Sequence, residues 1–285
     1  MDLSVIICAH NEEKHLPAQL DALLHQEWSG EWELIVVDNR STDDTASIVE
    51  RLATVHPRLR LVAADDRPSK AYAMDVGVKT ALAEHLAFCD GDDVVAPGWV
   101  RAIAAGLERH EVVTGPHELD LLNPPWLAGS RGWSAEEPTG SFYELFPAIR
   151  GANWGTRRSV WDRVGGVPED FAAVEDFAFS LRCWLEGIAI VGLPDAVVHY
   201  RYRDNARALW KQGFAYGAYR PRIARLLVEA GRPRPPRFAG WKTWALLLIK
   251  IPTLATAEGR AVWVWIAANR AGHLAGSMRE RTILL

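Results

Sequence analysis

The segment Asp90-Gly91-Asp92-Asp93 holds three carboxylates within four residues, directly after the apolar run Leu86–Cys89. This pattern predicts a strand that ends in a turn, and the glycine permits that turn to be tight. Carboxylates this close repel one another unless a cation lies between them, and hard oxygen ligands select Mg²⁺ or Mn²⁺. We therefore predict a divalent metal site at this turn. His199, after a later apolar run, offers a nitrogen ligand that favours Mn²⁺.

Other apolar runs near the N-terminus also end in polar side chains. The run Ser4–Ala9 is followed by His10-Asn11-Glu12-Glu13, and Leu34–Asp38 is followed by Asn39-Arg40-Ser41. Helical patterns separate these runs, which is typical of βαβ units that form a mostly parallel sheet. The carboxyl ends of such strands open into a crevice where ligands bind. The sequence therefore predicts an α/β fold with its chemistry along this edge.

Beyond residue 115 the sequence changes character. Between about Pro116 and Gly140 it is rich in Pro, Gly and Trp, which indicates a long irregular loop of the kind that binds ligands. The breaker Gly231–Pro236 marks a second boundary. Three segments are therefore predicted, with limits at 1–115, 116–230 and 231–285. Within the middle segment the periodicity predicts a helix over 174–186, strands over 188–191 and 196–200, and a helix over 204–229.

The composition is that of a chain with a substantial core. Its 285 residues are 49% hydrophobic and 24% charged, which excludes a disordered protein, a collagen and a disulfide-rich miniprotein. The three cysteines, Cys8, Cys89 and Cys183, lie in apolar runs and predict buried, reduced thiols in a cytoplasmic protein. The apolar start is too short for a signal peptide and lacks its basic leader.

The charge is distributed unevenly along the chain. The formal net charge is -4, yet residues 201–285 contain 16 Lys and Arg against 4 Asp and Glu. Such a basic tail either docks on the acidic part of the chain or faces an anionic partner, a phosphate group or a membrane surface. We expect no nucleic-acid partner, because the sequence contains no DNA- or RNA-binding motif.

The apolar runs 244–249 and 261–268 are each shorter than the roughly 18 residues that a membrane-spanning helix needs. Tryptophan and basic residues are mixed into this part of the chain, as in helices that lie in a membrane interface. The sequence leaves three arrangements open for residues 241–270. They pack on the rest of the chain, form a homodimer, or contact the inner face of the membrane peripherally.

Taken together, these segments resemble the family 2 glycosyltransferases of the GT-A fold. The resemblance covers residues 1 to about 220 and rests on the order and spacing of six motifs: Ser4–Glu13, Val36–Thr45, Cys89–Asp93, Gly151–Trp154, Val164–Glu169 and Val174–Phe177. It implies a Rossmann-like, mostly parallel sheet flanked by helices, with a C-terminal helical extension over 231–285. Residues 1–115 would then bind a nucleotide sugar, and residues 116–230 would bind the acceptor and carry the catalytic base.

On the donor side, the resemblance implies that Asp38 pairs with the nucleotide base. The first strand end, with Cys8, His10 and Glu12, lies beside it. Cys8 and His10 stand where relatives usually have Pro and Tyr, and Asp75 stands where Asn is common. These departures leave the nucleotide base open among UDP, GDP and dTDP sugars, of which we expect a UDP-sugar.

On the catalytic side, the resemblance implies that Asp90 contacts ribose or metal and that Asp92 contacts the metal. It makes Asp176 the catalytic base and puts His199 where many relatives have a metal ligand. One base opposite one leaving group implies in-line displacement with inversion at the anomeric carbon. Glu175 beside Asp176 would raise its proton affinity through like-charge repulsion.

Three basic residues are candidates for the nucleotide or its diphosphate. Lys70 precedes a predicted helix, and Arg201 and Arg203 alternate after His199, so that both face the same side of an extended chain. Each of the three also fits a solvent-exposed charge or a salt bridge to the acidic part of the chain.

The acceptor side is less constrained. Asn153 and Trp154 lie in one of the matching motifs, and Trp126 and Trp133 lie in the long loop, where an aromatic face is able to pack on a sugar ring. Most of the 13 tryptophans are expected in the core.

These observations predict a metal-dependent, inverting glycosyltransferase that uses Mn²⁺ or Mg²⁺. The acceptor is a glycan, a lipid-linked glycan or a small molecule. A sugar nucleotidyltransferase is one alternative, although residues 8–16 lack the glycines of a triphosphate-binding loop. A non-catalytic nucleotide-sugar-binding scaffold is the other, and the presence of Asp90, Asp92 and Asp176 argues against it.

Overall fold

A computed structural model of the chain describes residues 1–131, 137–236 and 240–284. The strands of these residues, in chain order, are β1 Leu3–Ala9, β2 Trp32–Asp38, β3 Leu59–Ala63, β4 His85–Cys89, β5 Val94–Val95, β6 Val112–Thr114, β7 His117–Glu118, β8 Gly140–Phe142, β9 Phe146–Ala148, β10 Asn153–Arg157, β11 Ile190–Gly192 and β12 Val198–His199. The helices are α1 Leu16–Leu24, α2 Thr45–Ala53, α3 Lys70–Thr80, α4 Trp99–Arg109, α5 Pro125–Ala128, α6 Arg158–Val164, α7 Glu175–Leu185, α8 Ala206–Glu229, α9 Trp241–Ile249 and α10 Ala257–Glu280, with 3₁₀ turns at Gly129–Arg131 and Ile251–Ala255.

Seven strands form the central sheet, in the order β11-β6-β10-β4-β1-β2-β3. Its neighbouring strands are parallel except at β10, which runs antiparallel to both β4 and β6. The predicted mostly parallel α/β sheet is therefore confirmed. The strands predicted from the runs Ser4–Ala9, Leu34–Asp38 and Leu86–Cys89 are present within two residues of their expected starts. The two later strands, β11 and β12, each begin two residues after their predicted starts.

The sheet is buried on both faces because helices cover it on each side. Leu3, Val5 and Ile7 of β1 point into one apolar cluster with α1 and α4, where Leu16 and Leu20 are fully buried. Ile6, which points the other way, joins a second cluster built from α3, α6 and α7. This alternation follows from the two-residue period of a strand. It also holds the ends of β1, β2 and β4 in fixed positions along one edge.

A small sheet in the order β5-β12-β7 lies in the same part of the fold. In its register His199 of β12 is opposite Val94 of β5, the residue after Asp93. On its other side β12 runs parallel to β7, with His199 opposite Glu118. The strand that carries His199 thus runs beside the acidic turn.

Packing divides the chain into two units. The first is built mainly from Met1–Leu119 and Pro147–Tyr200, and the second mainly from Arg201–Leu285. In the second unit α8 and α10 approach closely, since a Cβ added at Gly217 would lie 2.1 Å from the carbonyl oxygen of Asn269. The predicted boundary at 231–236 therefore falls inside one packed unit, and the three functional segments stay a prediction.

Two further sequence expectations concern the whole chain. The three cysteines are free thiols; Cys89 and Cys183 are buried as expected, whereas Cys8 is only partly buried, because it stands at the end of β1. Among the described helices, none combines the length and the apolar character that crossing a bilayer requires.

Candidate functional site

The acidic turn at the end of β4 is the centre of the site. The carboxylate oxygens of Asp90, Asp92 and Asp93 lie within 4.8 Å of one another. Asp92 and Asp93 are buried, and Asp90 is partly exposed. Burial and the neighbouring Asp92 raise the pKa of Asp90 above its ordinary value, although Lys70 opposes them. The fold therefore concentrates negative charge at one point, as predicted for Asp90 and Asp92, and adds Asp93 to the pair.

A buried glutamine on α1 holds this turn in shape. The Gln19 side chain donates from Nε2 to the backbone carbonyl of Asp90 at 2.9 Å and accepts the backbone N–H of Val95 at 2.9 Å. It thus joins the two ends of the turn. Gln19 was not among the residues predicted from the sequence. Its signal was a polar side chain on the face of α1 that also carries Leu16, Leu20 and Leu23.

The donor set of the turn fits a hard divalent cation. Three carboxylates supply oxygen ligands, which Mg²⁺ and Mn²⁺ both accept. In the described part of the chain, this group of potential metal ligands does not include His199. Instead His199 Nδ1 lies 2.6 Å from Glu118 Oε2. Strand pairing sets His199 opposite Glu118 on β7. The role of His199 as a third metal ligand, through its other ring nitrogen Nε2, stays a prediction.

Lys70 connects the acidic turn to the helix that carries the predicted base. It is the first residue of α3, and Ser69 caps that helix by accepting the backbone N–H of Tyr72 at 3.3 Å. Its Nζ lies 2.7 Å from Asp90 Oδ1 and 3.2 Å from Glu175 Oε1. Burial by itself lowers the pKa of Lys70, but the carboxylates of Asp90 and Glu175 outweigh it and raise the pKa above its ordinary value. Lys70 is thus a fixed positive charge within an acidic site.

Asp176 lies in the first turn of α7, directly after Glu175. Burial, with a further contribution from the like charge of Glu175, raises the pKa of Asp176 to about 7. One carboxylate oxygen of Asp176 accepts the backbone N–H of Phe177 at 2.9 Å. Close by, a Cβ added at Gly151 would lie 3.2 Å from the other oxygen, so the chain approaches that oxygen closely. A carboxylate that titrates near neutrality is suited to general base catalysis.

The residue before this pair has an unusual backbone conformation. Val174, the N-cap of α7, has a φ of 56°, a left-handed value that β-branched residues rarely adopt. Its side chain is buried, at 3% exposure, so packing holds the strained backbone in place. This geometry sets the direction in which α7 begins and therefore where Glu175 and Asp176 lie.

The ends of β1 and β2 form the next part of the edge. Asp38 is buried; its Oδ2 accepts the backbone N–H of Ser41 at 3.3 Å, while its Oδ1 accepts no hydrogen bond from the residues that the structure describes. His10 Nδ1 donates to the Asn39 carbonyl at 2.8 Å. Burial raises the pKa of the Cys8 thiol to about 12, so this thiol is neutral at physiological pH. Glu12 reaches the acidic turn, since its Cγ would be 3.7 Å from a Cβ at Gly91.

Asn39 was also missed. Its Nδ2 donates to the carbonyls of Ala64 and Arg67 at 2.5 and 2.9 Å, and its Oδ1 accepts the N–H of Ser69 at 2.9 Å. Asn39 therefore holds the loop that leads from β3 into α3 against the end of β2. The polar strand end was noticed in the sequence, but these three partners are 25 or more residues away and have no local signal.

Arg67 in this loop forms an ion pair with Glu169 at 2.5 Å, which links it to the loop that precedes α7. Both side chains are about half exposed, so the pair contributes little to stability. The remaining basic candidates, Arg201 and Arg203, flank the buried Tyr202 at the start of the second unit. Their role towards a diphosphate stays a prediction.

The two predicted acceptor residues, Asn153 and Trp154, are buried. Asn153 is fully buried, accepts from Trp99 Nε1 at 2.8 Å and donates to the carbonyls of Pro116 and Ala196 at 2.9 and 2.7 Å. Trp154 is 1% exposed and stacks on Phe88 with ring centroids 4.3 Å apart. We therefore assign Asn153 and Trp154 to the core, because no face of either is open to an acceptor.

The two loop tryptophans have different outcomes. Trp126 lies in α5 and is partly exposed. Trp133 lies outside the described residues. An acceptor role for either stays a prediction.

Comparison with known proteins places these features in a family. The glycosyl transferase family 2 profile matches residues 4–162, and that of glycosyl transferase family group 2 matches residues 85–268. The glycosyltransferase AglE of Haloferax volcanii is 32% identical over 225 residues, which cover 74% of this chain and 70% of AglE. An uncharacterized glycosyltransferase of Haemophilus influenzae is 26% identical over 112 residues, and the match spans 39% of this chain but only 34% of that relative.

Solved structures show the same fold at lower identity. The mannosyltransferase PcManGT from Pyrobaculum calidifontis, in complex with GDP-Man and Mn²⁺, is similar with a TM-score of 0.66 and 20% identity over 96% of this chain and 86% of that one. TarS 1–349 of S. aureus, in complex with UDP-GlcNAc, has a TM-score of 0.57 and 19% identity over 99% and 93%. Because one family profile matches more than half of the chain and AglE is similar over most of both lengths, the chain belongs to glycosyl transferase family 2.

Proposed function

We propose that this protein transfers a sugar from a nucleotide-diphosphate sugar to an acceptor hydroxyl, with inversion at the anomeric carbon. The observation that carries the proposal is the convergence of the acidic turn Asp90–Asp93 with Lys70 and the Glu175–Asp176 pair. A metal site, a cation and a carboxylate that titrates near pH 7 are the groups that such a displacement requires.

Asp176 is the proposed base. As the acceptor oxygen attacks C1 of the sugar, its proton passes to the carboxylate of Asp176. The new C1–O bond forms while the bond from C1 to the phosphate oxygen breaks, and its electron pair leaves with the nucleoside diphosphate. Attack from the side opposite the leaving group inverts C1. The raised pKa of Asp176 brings its proton affinity close to what a base needs at neutral pH.

Asp90, Asp92 and Asp93 are the residues that would hold Mn²⁺ or Mg²⁺. When bound, the cation would neutralise charge that develops on the leaving diphosphate. Lys70 acts on the same charge from the other side of Asp90, since its ammonium is able to exchange a carboxylate partner for a phosphate oxygen. Arg201 and Arg203 are proposed as further diphosphate contacts. His199 is proposed as a metal ligand through Nε2, with Glu118 orienting the ring through Nδ1.

A UDP-sugar is the proposed donor. Asp38 offers a buried carboxylate oxygen with no partner in the described chain, at the strand end where the base of a donor is expected. The N3–H of uracil is a donor that would satisfy this oxygen. TarS is described with UDP-GlcNAc and PcManGT with GDP-Man, so relatives of this fold use both bases.

A lipid-linked glycan is the proposed acceptor, in preference to a small molecule. Support comes from the exposed apolar side chains of α9, which would suit a protein that works at the inner face of a membrane. Two other activities are less well supported. Membership of glycosyl transferase family 2 argues against a nucleotidyltransferase, and a carboxylate with a pKa of about 7 has no evident use in a non-catalytic scaffold.

The test is a calorimetric titration of the full chain with UDP, GDP and dTDP, each with Mn²⁺ and again with a chelator. We expect UDP to bind most tightly and only in the presence of the metal. Tight binding of GDP alone would overturn the UDP assignment but keep the transferase. If no nucleotide binds with or without metal, the proposed transfer reaction loses its basis.

A further inference from the structure

The helix α9 turns its apolar side to solvent. Trp241, Leu248 and Ile249 are 60%, 72% and 69% exposed, and Trp244 is 36% exposed. Helix α9 is described in full, and none of its nine residues is buried. A surface helix of a globular protein normally directs its apolar stripe to the core and its polar side outward. In α9 the large apolar side chains are instead exposed.

The spacing makes this side continuous. Trp241, Trp244 and Leu248 are at positions i, i+3 and i+7, which align along one face, and Ile249 lies beside Leu248. The opposite side of α9 is held by α10, since Trp263 Nε1 donates to the carbonyl of Leu247 at 3.0 Å. The apolar stripe extends beyond the helix through Ile251, which is 51% exposed. We call these five side chains, Trp241, Trp244, Leu248, Ile249 and Ile251, the exposed apolar stripe.

The charges around the stripe identify its partner. Lys242 lies in α9 and Lys250 directly follows it, and Glu258 is the single acidic residue between 241 and 270. Tryptophan prefers the interface between acyl chains and headgroups, and lysine extends its ammonium towards anionic phosphates. In a symmetric dimer through this stripe, the lysines of the two copies would face each other with no carboxylate between them. The charge pattern therefore favours an anionic lipid surface over a second copy.

We propose that the exposed apolar stripe docks this protein peripherally on an anionic lipid bilayer. At nine residues α9 is only about 14 Å long, so it lies along the surface and does not span a hydrocarbon core of about 30 Å. Trp241, Trp244 and Leu248 enter the headgroup region, and Lys242 and Lys250 contact lipid phosphates. Docking requires neither donor nor acceptor, so its test is independent of the proposed transfer reaction.

The experiment is sedimentation of the full chain with phosphatidylcholine vesicles, with and without phosphatidylglycerol. We expect binding to the anionic vesicles, a blue shift of tryptophan fluorescence, and weakening by salt. The triple variant Trp241→Ser, Trp244→Ser, Leu248→Ser should lose binding by about tenfold or more. The matched control is Trp210→Ser, which removes a 43% exposed tryptophan of α8 in the same unit and should bind like the parent.

The substitutions remove exposed side chains, so circular dichroism and nucleotide titration should be unchanged and report that the triple variant is folded. Equal vesicle binding by the triple variant and the parent would overturn the proposal. A dimer seen by analytical ultracentrifugation without vesicles, and abolished by the triple variant, would also overturn it in favour of a second copy.

Discussion

The ammonium nitrogen of Lys70 lies 2.7 Å from a carboxylate oxygen of Asp90. The same nitrogen is 3.2 Å from Glu175 in the first turn of α7. One cation therefore joins the acidic turn at the end of β4 to the helix that carries the proposed base. The contact with Asp90 is a charge-assisted hydrogen bond and the contact with Glu175 is an ion pair, so Lys70 links α3 to both β4 and α7.

We predict that Lys70→Met lowers kcat/KM for sugar transfer by about 10²- to 10³-fold, because a charge that stabilises the leaving diphosphate is lost. The same variant should bind Mn²⁺ more tightly than the parent, since Asp90 no longer has a competing ammonium partner. Metal titration and initial rates measure both effects. Lys79→Met is the matched control: Lys79 is on the same helix but pairs with Asp75 at the surface, so little change is expected.

Asp176 should give the reaction a pH profile with a midpoint near neutrality. Its pKa is raised to about 7, and only the ionised form accepts a proton, so the rate should rise as the pH increases through 7. Asp176→Asn should lower transfer by about 10²-fold or more while nucleotide binding persists. Glu186→Gln, an exposed change at the other end of α7, serves as the control. Full transfer activity of the Asp176 variant would show that another group is the base.

The same titration has a consequence for stability. A raised pKa means that folded Asp176 holds its proton to higher pH than the unfolded chain does. Its stabilising contribution is thus present at low pH and lost as the pH rises through about 7. Asp176→Asn should therefore unfold at a higher urea concentration than the parent at pH 8, and the difference should shrink at pH 5.

Asp38→Asn tests the nucleotide base. In this variant an amide replaces the carboxylate whose Oδ1 has no partner in the described chain. The amide is able to present N–H groups to the uracil N3–H, and two donors do not form a hydrogen bond. We expect UDP to bind about 10- to 100-fold more weakly, which corresponds to one unsatisfied buried hydrogen-bonding group. Asp44→Asn, a change at the exposed N-cap of α2, should leave UDP affinity unchanged. An unaltered UDP affinity in the Asp38 variant would remove it from the base site.

Asn153→Ala distinguishes a core role from an acceptor role. The variant leaves Trp99 Nε1 and the carbonyls of Pro116 and Ala196 without their present partner. The free energy of unfolding should fall by about 2–4 kcal/mol, since several buried polar groups lose hydrogen bonds. Urea unfolding measures the loss. The KM for the acceptor should stay within about twofold for the folded fraction, and a selective rise in that KM would reinstate Asn153 as an acceptor contact.

Protonation of His117 should make the free energy of unfolding depend on pH. It is buried and stacks on Tyr200 with centroids 4.6 Å apart, and neither ring nitrogen has a hydrogen-bond partner among the described residues. Burial and the nearby Arg150 lower the pKa of His117 to about 3. Protonation therefore favours the unfolded chain, so stability should decline as the pH falls from about 6.5 towards 3, at up to about 1.4 kcal/mol per pH unit.

The variant His117→Phe should keep the aromatic stack and remove the two unpartnered nitrogens. We expect the free energy of unfolding to be about 1–2 kcal/mol higher than in the parent at pH 7 and to depend less steeply on pH. Urea titrations at pH 7 and pH 5 measure this. His25→Asn, at an exposed histidine, should follow the parent at both pH values.

Several parts of this protein were readable from the sequence because they depend on local patterns. Apolar runs with polar ends located β1, β2 and β4, and the same ends supplied Asp38, Asp90 and Asp92. In a parallel sheet, strand ends on one edge converge without any further information. The pair Glu175–Asp176 was likewise visible as an acidic first turn of a helix.

Residues whose surroundings come from distant segments were harder to interpret. Asn153 and Trp154 lie in a matching motif, yet β10 is inserted between β4 and β6, where burial on both faces leaves no surface for an acceptor. For His199, pairing of β12 with β7 sets Nδ1 against Glu118, while its role as a metal ligand stays a prediction. Neither outcome follows from residue type, because each depends on which strand lies alongside.

By itself, then, the sequence determined the α/β architecture, the family and the acidic edge, since hydrophobic periodicity and strand-end chemistry are encoded within short segments. Only the tertiary structure decided that Lys70 bridges Asp90 and Glu175, that Asp93 completes the acidic group, and that α9 turns its tryptophans outward. These relationships join residues up to 105 positions apart, as between Lys70 and Glu175. Packing of whole elements sets such distances, and no local pattern records them.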